Sequence, residues 1–163
     1  MNPRQQARGG GSFKAAVQET PAIAMAYQPG IQALLPSDKR RLTAAERATG
    51  SVALDEALRA RFPNDPRWDY GIGLPGGQAE RVLWLEVHHS ASGQTDRVLR
   101  KLRALRQWLR SEAPSLHRMP AKFIWLLSNV ERNPNDQRRR RLEAEKHGLR
   151  HHQGVLNLAT LDD

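Results

Sequence analysis

Apolar residues in the middle of the chain follow two unlike patterns. Val82-Leu83-Trp84-Leu85 with Val87, and Phe123-Ile124-Trp125-Leu126-Leu127, are near-continuous runs, as in strands covered on both faces. Between them Val98, Leu102, Leu105 and Leu109 recur at helical spacing. They predict a long helix that Thr95 or Asp96 can cap, after a break at Ser92-Gly93, and that Ala113-Pro114 ends. Arg67 to Leu74 reads as a strand joined to the strand Arg81 to His89 through the turn Pro75-Gly76-Gly77. The second central strand is Lys122 to Ser128.

The flanks are less regular. Thr43-Ala44-Ala45-Glu46 has the form of a capping box. Val52, Leu54, Ala57, Leu58 and Phe62 then predict one helix kinked at Gly50, or two short ones, stopped by Pro63-Asn64-Asp65-Pro66. Asn133-Pro134-Asn135-Asp136 opens a charged helix running to His147 and closed by Gly148. Val155 to Leu161 predicts a last short strand. The order helix, strand, strand, helix, strand, helix, strand predicts an α/β domain over residues 43–163, a mixed sheet flanked by helices in three layers. Residues 13–42, punctuated by Pro21, Pro29-Gly30 and Pro36, form an extension whose helices cannot exceed about two turns, so it wraps a core formed elsewhere. Residues 1–12 are polar, contain Arg4 and Arg8 and end in Gly9-Gly10-Gly11-Ser12, which reads as a disordered basic arm.

Composition narrows the function classes. The 163 residues include no cysteine, which excludes a disulfide framework and thiolate metal sites. No apolar run approaches the roughly 20 residues that cross a bilayer, and no signal segment follows Met1, so the expectation is a soluble cytoplasmic protein without a membrane partner. Lys and Arg number 26 against 17 Asp and Glu, a formal charge of +9. That excess favours a polyanionic partner, because neutralised phosphates release counterions. Arg97, Arg100, Lys101 and Arg103 crowd the long helix, and Arg138 and Arg139 begin the run Arg138-Arg139-Arg140-Arg141. As phosphate contacts they would position a duplex without reading its sequence. The plainer alternative is a solvated face laced by pairs such as Arg139 with Glu143 and Arg141 with Glu145. Trp84, Trp108 and Trp125 sit in apolar runs and are assigned to the core.

The chemical anomaly is Glu86 inside Val-Leu-Trp-Leu-Glu-Val, since an unpaired buried carboxylate costs several kcal/mol, of order 2–7 even for neutral polar groups. Alternation puts Glu86 and His88 on one strand face and Val87 on the other. A hairpin could bring Asp69, at the start of the preceding strand, alongside Glu86. Two carboxylates on neighbouring strands make an oxygen-rich site for Mg²⁺ or Mn²⁺. The structural alternatives are a turn-capping role for Asp69, a buried ion pair of Glu86 with an arginine of the 97–110 helix, and solvent exposure for His88 and His89. No glycine-rich phosphate loop precedes a helix, and no Ser-His-Asp arrangement stands out.

Asp69 before the hairpin, Glu86-Val87-His88 on its second strand, and the helix and strand beyond them resemble the PD-(D/E)xK nuclease superfamily, with its restriction-endonuclease-like fold. The similarity spans about residues 43–128. It implies that Asp69 and Glu86 are the motif acids and metal ligands, with Val87 adding its backbone carbonyl, in a Mg²⁺- or Mn²⁺-dependent nuclease acting on nucleic acid, DNA before RNA. Glu46, or less favourably Asp55 or Glu56, matches the acid that some members contribute from the first helix. His88 falls where the family carries lysine. It could serve as the base that orients water, or Lys101 on the next helix could reach back to supply the charge. The departure also leaves open a catalytically inactive nuclease-fold module that binds nucleic acid or a protein partner within a larger complex, or acts as a homodimer. The run Leu85-Glu86-Val87-His88-His89 resembles the opening of an HNH nuclease too, but residues 91–110 supply neither the asparagine nor the histidine that such a motif needs.

Overall fold

The computed structural model describes residues 11–89, 94–129 and 133–161. The arm at residues 1–10, with Arg4 and Arg8, and the break at Ser92-Gly93 lie outside the described residues. A five-stranded mixed sheet organises the fold. Strand β2 (Gly50–Ala53), β3 (Tyr70–Leu74) and β4 (Arg81–His88) form an antiparallel meander, and β5 (Ala121–Leu127) and β6 (Arg150–Gln153) run parallel to β4, giving the order β2-β3-β4-β5-β6. Helix α4 (Thr95–Glu112) with the turn-long α5 (Pro114–His117) makes the crossover from β4 to β5, and α6 (Pro134–Lys146) that from β5 to β6. These are the crossovers that parallel neighbours require.

Each central element forms for a reason visible in its residues. In β4, Val82 and Trp84 pack into one layer and Leu83 and Leu85 into the other, all essentially inaccessible, so the apolar run has no polar face. Helix α4 buries Val98, Leu102, Leu105, Trp108 and Leu109 and turns Arg97, Arg100 and Arg103 to solvent. Asn133 caps α6 by accepting from the Asn135 amide at 3.0 Å, with Pro134 at the first helical position, and Gly148 at φ +73° terminates it. Trp68, Trp84, Trp108 and Trp125 are all core residues.

Two apolar layers sandwich the sheet. One holds α1 (Phe13–Gln18), α3 (Leu54–Leu58), α4 and Ala144 of α6. The opposite layer contains Leu34, Leu42, Leu156, Leu158 and Leu161 and is closed by irregular chain, the single turn α2 (Pro36–Lys39) and 3₁₀ turns at Ala45–Arg47 and Leu158–Leu161. The expected helix–sheet–helix layering therefore holds on one face, and on the other a wrapping segment takes the helices' place. That segment is residues 13–42. It contributes Phe13 and Val17 to the first layer and Leu34 and Leu42 to the second, crossing the sheet edge where Gln28 bridges Ser51 of β2.

Three expectations are corrected. The helix expected from Thr43 is instead strand β1 (Leu42–Thr43), a 3₁₀ turn, β2 and the five-residue α3. The capping box does not form, because Ala44 takes a left-handed φ of 54° and no side chain caps the turn. Pairing of Gly50–Ala53 with β3 outweighs the local helical spacing. The strand expected at 155–161 is the two-residue β7 (Leu156–Asn157), parallel to β1, with a 3₁₀ turn after it. The fifth strand of the sheet is the polar β6 just before it.

Candidate functional site

The site lies at the end of β3 and β4 where Tyr70 pairs with Leu85. Continuing that ladder by one residue sets Asp69 opposite Glu86, on the face that carries Trp84 and meets α4. Asp69 is held by its own backbone and side chain: its carbonyl accepts from the Leu54 amide at 2.9 Å, and its Oδ2 accepts from the Val87 amide at 2.9 Å. It is therefore no turn cap. Glu86 is wholly buried. Its partner is Lys101 of α4, whose Nζ donates to Oε1 at 2.6 Å and to Oε2 at 3.2 Å, and which stands 4.0 Å from Asp69 Oδ1. The anticipated ion pair with an arginine is thus made by the lysine, which sits one position before Leu102 on the buried stripe.

The electrostatics result from this crowding. Burial pushes the Asp69 carboxyl up to about 7, with repulsion from Glu86 adding to it and Lys101 opposing it. Burial likewise pushes Glu86 up to about 7 against the pull of Lys101. Each acid acts on the protonation of the other, so they lose their protons as a pair. His88 presents Nε2 3.8 Å from Glu86 Oε2, beyond hydrogen-bond reach, and its ring meets the Trp125 edge at 6.1 Å between centroids. Burial, then Lys101, lowers its pKa, so at neutral pH it is an uncharged imidazole whose buried Nε2 has no partner.

The donor set is two carboxylates, with the Val87 backbone adjoining. Among the described residues no group of three or more His, Asp or Glu side chains converges closely enough to hold a metal ion. Two carboxylates with the rest of the shell as water nonetheless suits Mg²⁺, a hard ion that keeps several waters. The fit rests on the pair itself: two adjacent acids, each favouring its protonated form, share one ammonium, so the pocket has unbalanced negative charge whenever both ionise. A cleft of about 440 Å³ reaches Asp69 on the Val87 face of the sheet, lined also by Asp38, Asp55, Tyr70, Val87 and His89, with neither Glu86 nor Lys101 in its wall. At its side the Tyr70 hydroxyl donates to the buried Asp38 at 2.6 Å.

No family, curated protein or solved structure matches the chain.

Other expected residues fall elsewhere. Glu46 is exposed in the 3₁₀ turn at Ala45–Arg47, ahead of the Gly50–Gly73 end of the β2–β3 ladder, whereas the site lies beyond its Ala53–Tyr70 end. It is not brought to the carboxylates. Asp55 of α3 comes nearer: its amide lies 3.5 Å from the Asp69 carbonyl, and its charge adds to the upward push on Glu86. Its own carboxylate is held by Arg67 at 3.0 Å and Arg59 at 3.3 Å. Arg97 is close enough to lower the His88 pKa, while Arg100 and Arg103 are exposed along α4. Arg138 and Arg139 are both exposed on α6. Of the expected pairs there, Arg141 reaches Glu145 at 3.9 Å, but Glu143 is engaged by Lys146 and His147. Sequence reasoning passes over His151. It extends the row Asp69, Glu86, Trp125 across the sheet, pairing with Trp125 in the ladder and touching its ring at 4.7 Å.

Proposed function

We propose that the protein is a metal-dependent nuclease-like hydrolase of nucleic-acid phosphodiesters, DNA before RNA, built on a restriction-endonuclease-like sheet. The observation that carries this reading is the buried Asp69–Glu86–Lys101 cluster. Acids on adjacent strands of the meander and a lysine from the crossover helix reproduce the chemical content of the PD-(D/E)xK motif, although His88 occupies the lysine's sequence position. In support, the order of β2, β3, β4, α4 and β5 is that of the motif-bearing core in that superfamily, and no helix among the described residues is long and apolar enough to cross a membrane.

In this reading Asp69 and Glu86, with the Val87 carbonyl, hold Mg²⁺ or Mn²⁺, which when bound acidifies water and neutralises charge building on phosphate. The Val87 amide fixes Asp69 Oδ2, while Oδ1 is turned towards the Lys101 ammonium at 4.0 Å. Lys101 supplies the positive charge at the attacking side. His88, an uncharged imidazole 3.8 Å from Glu86, is the base nearest the carboxylate pair. Arg97, Arg100, Arg103, Arg138 and Arg139 contribute sequence-independent phosphate contacts.

A second reading, a nuclease-fold module that binds nucleic acid or a partner without cutting, is favoured by one feature: the Lys101 ammonium already engages both Glu86 oxygens. One experiment separates the two. Labelled linear, circular and single-stranded DNA and RNA are incubated with Mg²⁺, Mn²⁺ or EDTA, using wild-type protein and Glu86→Ala, with binding followed by gel shift. Metal-dependent cutting that the variant loses supports the enzyme. Equal binding by both proteins with no cutting refutes it in favour of the module.

A further inference from the structure

Building on the reading of Asp69 and Glu86 as metal ligands, we infer that Lys101 is the affinity-setting residue of the site: its ammonium occupies the cation position of the carboxylate pair, and a divalent ion binds only by displacing it.

The distances carry the argument. Nζ lies 2.6 and 3.2 Å from the two Glu86 oxygens and 4.0 Å from Asp69 Oδ1, so it faces both acids at once. Glu86 has no access to water, and the lysine side chain is 12% exposed. Inside such a pocket, an ammonium and a dication about 4 Å apart repel strongly, because the medium screens them far less than bulk water does. Both cannot sit on Glu86. Asp69, by contrast, is 24% exposed and borders the cleft together with Val87. Asp69 is therefore the acid that an ion meets first, and to reach the fully buried Glu86 the ion must expel Nζ. The lysine can yield, since its charge is a point on a flexible four-carbon stem, whereas a planar arginine fork would lock both carboxylate oxygens. Its release also presents the ammonium to a substrate phosphate, coupling metal entry to placement of the positive charge.

The test titrates Mn²⁺, followed by its paramagnetic resonance signal, into wild-type protein, Lys101→Met, Glu86→Ala and the double variant. Lys101→Met is expected to bind Mn²⁺ about ten- to a hundredfold more tightly than wild type, the range of ordinary coupling between two mutually exclusive ligands, and Glu86→Ala should remove the gain. Equal or weaker binding by Lys101→Met overturns the inference while leaving the ligand assignment standing. Binding untouched by Glu86→Ala, or none by any of the four proteins, overturns the ligand assignment and the inference with it. A second readout uses wild type alone and covers the case in which Lys101→Met does not fold. Lys101 acetylation, quantified by peptide mass spectrometry, should rise severalfold when Mn²⁺ saturates the protein. Reactivity that stays level or falls refutes displacement.

Discussion

Replacing Glu86 by glutamine should stabilise the protein while removing its proposed chemistry. Glutamine keeps the shape of the side chain and abolishes the charge that burial opposes. In the folded protein Glu86 titrates near 7 instead of its ordinary 4.5, even with Lys101 attached. At about 1.36 kcal/mol per pH unit that difference amounts to roughly 3 kcal/mol of destabilisation once the carboxyl is ionised. Glutamine stands in for the protonated acid and the pull of Lys101 is already contained in that value, so the variant is expected to gain about 3 kcal/mol where the wild-type carboxyl is fully ionised. The sign fixes the pH window. Between pH 4.5 and about 7 the folded chain holds a proton that the unfolded chain has released, so wild-type stability falls as pH rises through this interval. The gap between Glu86→Gln and wild type should therefore be near zero below about pH 4.5, open towards pH 7 and be fully present at about pH 8. Urea denaturation at the two ends of that window measures it, and thermal melts should show about 2–4 °C for each kcal/mol. A variant no more stable than wild type at the alkaline end, or a gap that does not change with pH, would refute the claim that burial outweighs the Lys101 ion pair.

Three further outcomes are expected. Gly71→Ala should cost about 1–3 kcal/mol in chemical denaturation, because a Cβ there would lie 2.7 Å from the Trp84 ring and 3.3 Å from Val52; unchanged stability would mean that the β2–β4 packing is looser than described. Glu46→Ala should leave Mn²⁺ binding and any cleavage at wild-type levels, whereas Asp69→Ala abolishes both in the same assays. His151, held neutral by burial beside Trp125 and by the charge of Arg140, should titrate near pH 4 by NMR. Its folded pKa lies below the unfolded value, so this residue withdraws stability as pH falls from 6.5 towards 4, and a midpoint at the ordinary histidine value would show the ring to be solvated.

The centre of the fold is legible in the sequence because its elements carry strong, one-dimensional signals. Strands β4 and β5 are apolar on both faces, α4 repeats its buried leucines at helical spacing, and α6 has asparagine-proline at one end and glycine at the other. Glu86 stands out because a carboxylate contradicts its neighbours. The periphery is not legible, since tertiary contacts decide it. Val52 and Leu54 fit a helical stripe as well as they fit a strand ending in a turn, and only the partner β3 and the Tyr27 ring lying where a Cβ of Gly50 would project select the strand. Strand β6 reads Arg-His-His-Gln and offers no hydrophobic alternation, because this edge strand is only half-buried beneath the charged α6. Glu46 joins the site only on the premise of a helix that does not form. The family resemblance alone brings Lys101 forward, yet its position beside Leu102 on the apolar stripe already marks it as a basic residue of that helix aimed partly inward.

The wrapping segment has a consequence for how the chain reaches its folded state. Leu42 and Thr43 pair with Leu156 and Asn157, and residues from the first forty or so positions complete both apolar layers. The sheet therefore has no finished interior until nearly the last strand has emerged from the ribosome. A nascent chain lacking β6 and β7 leaves Leu34, Leu42 and the outer face of β3 uncovered, so the pairings that close the molecule are among its most distant in sequence and among its slowest to form. Shortening the chain at either end should act on the same seam, and the two truncations should fail together as one cooperative unit.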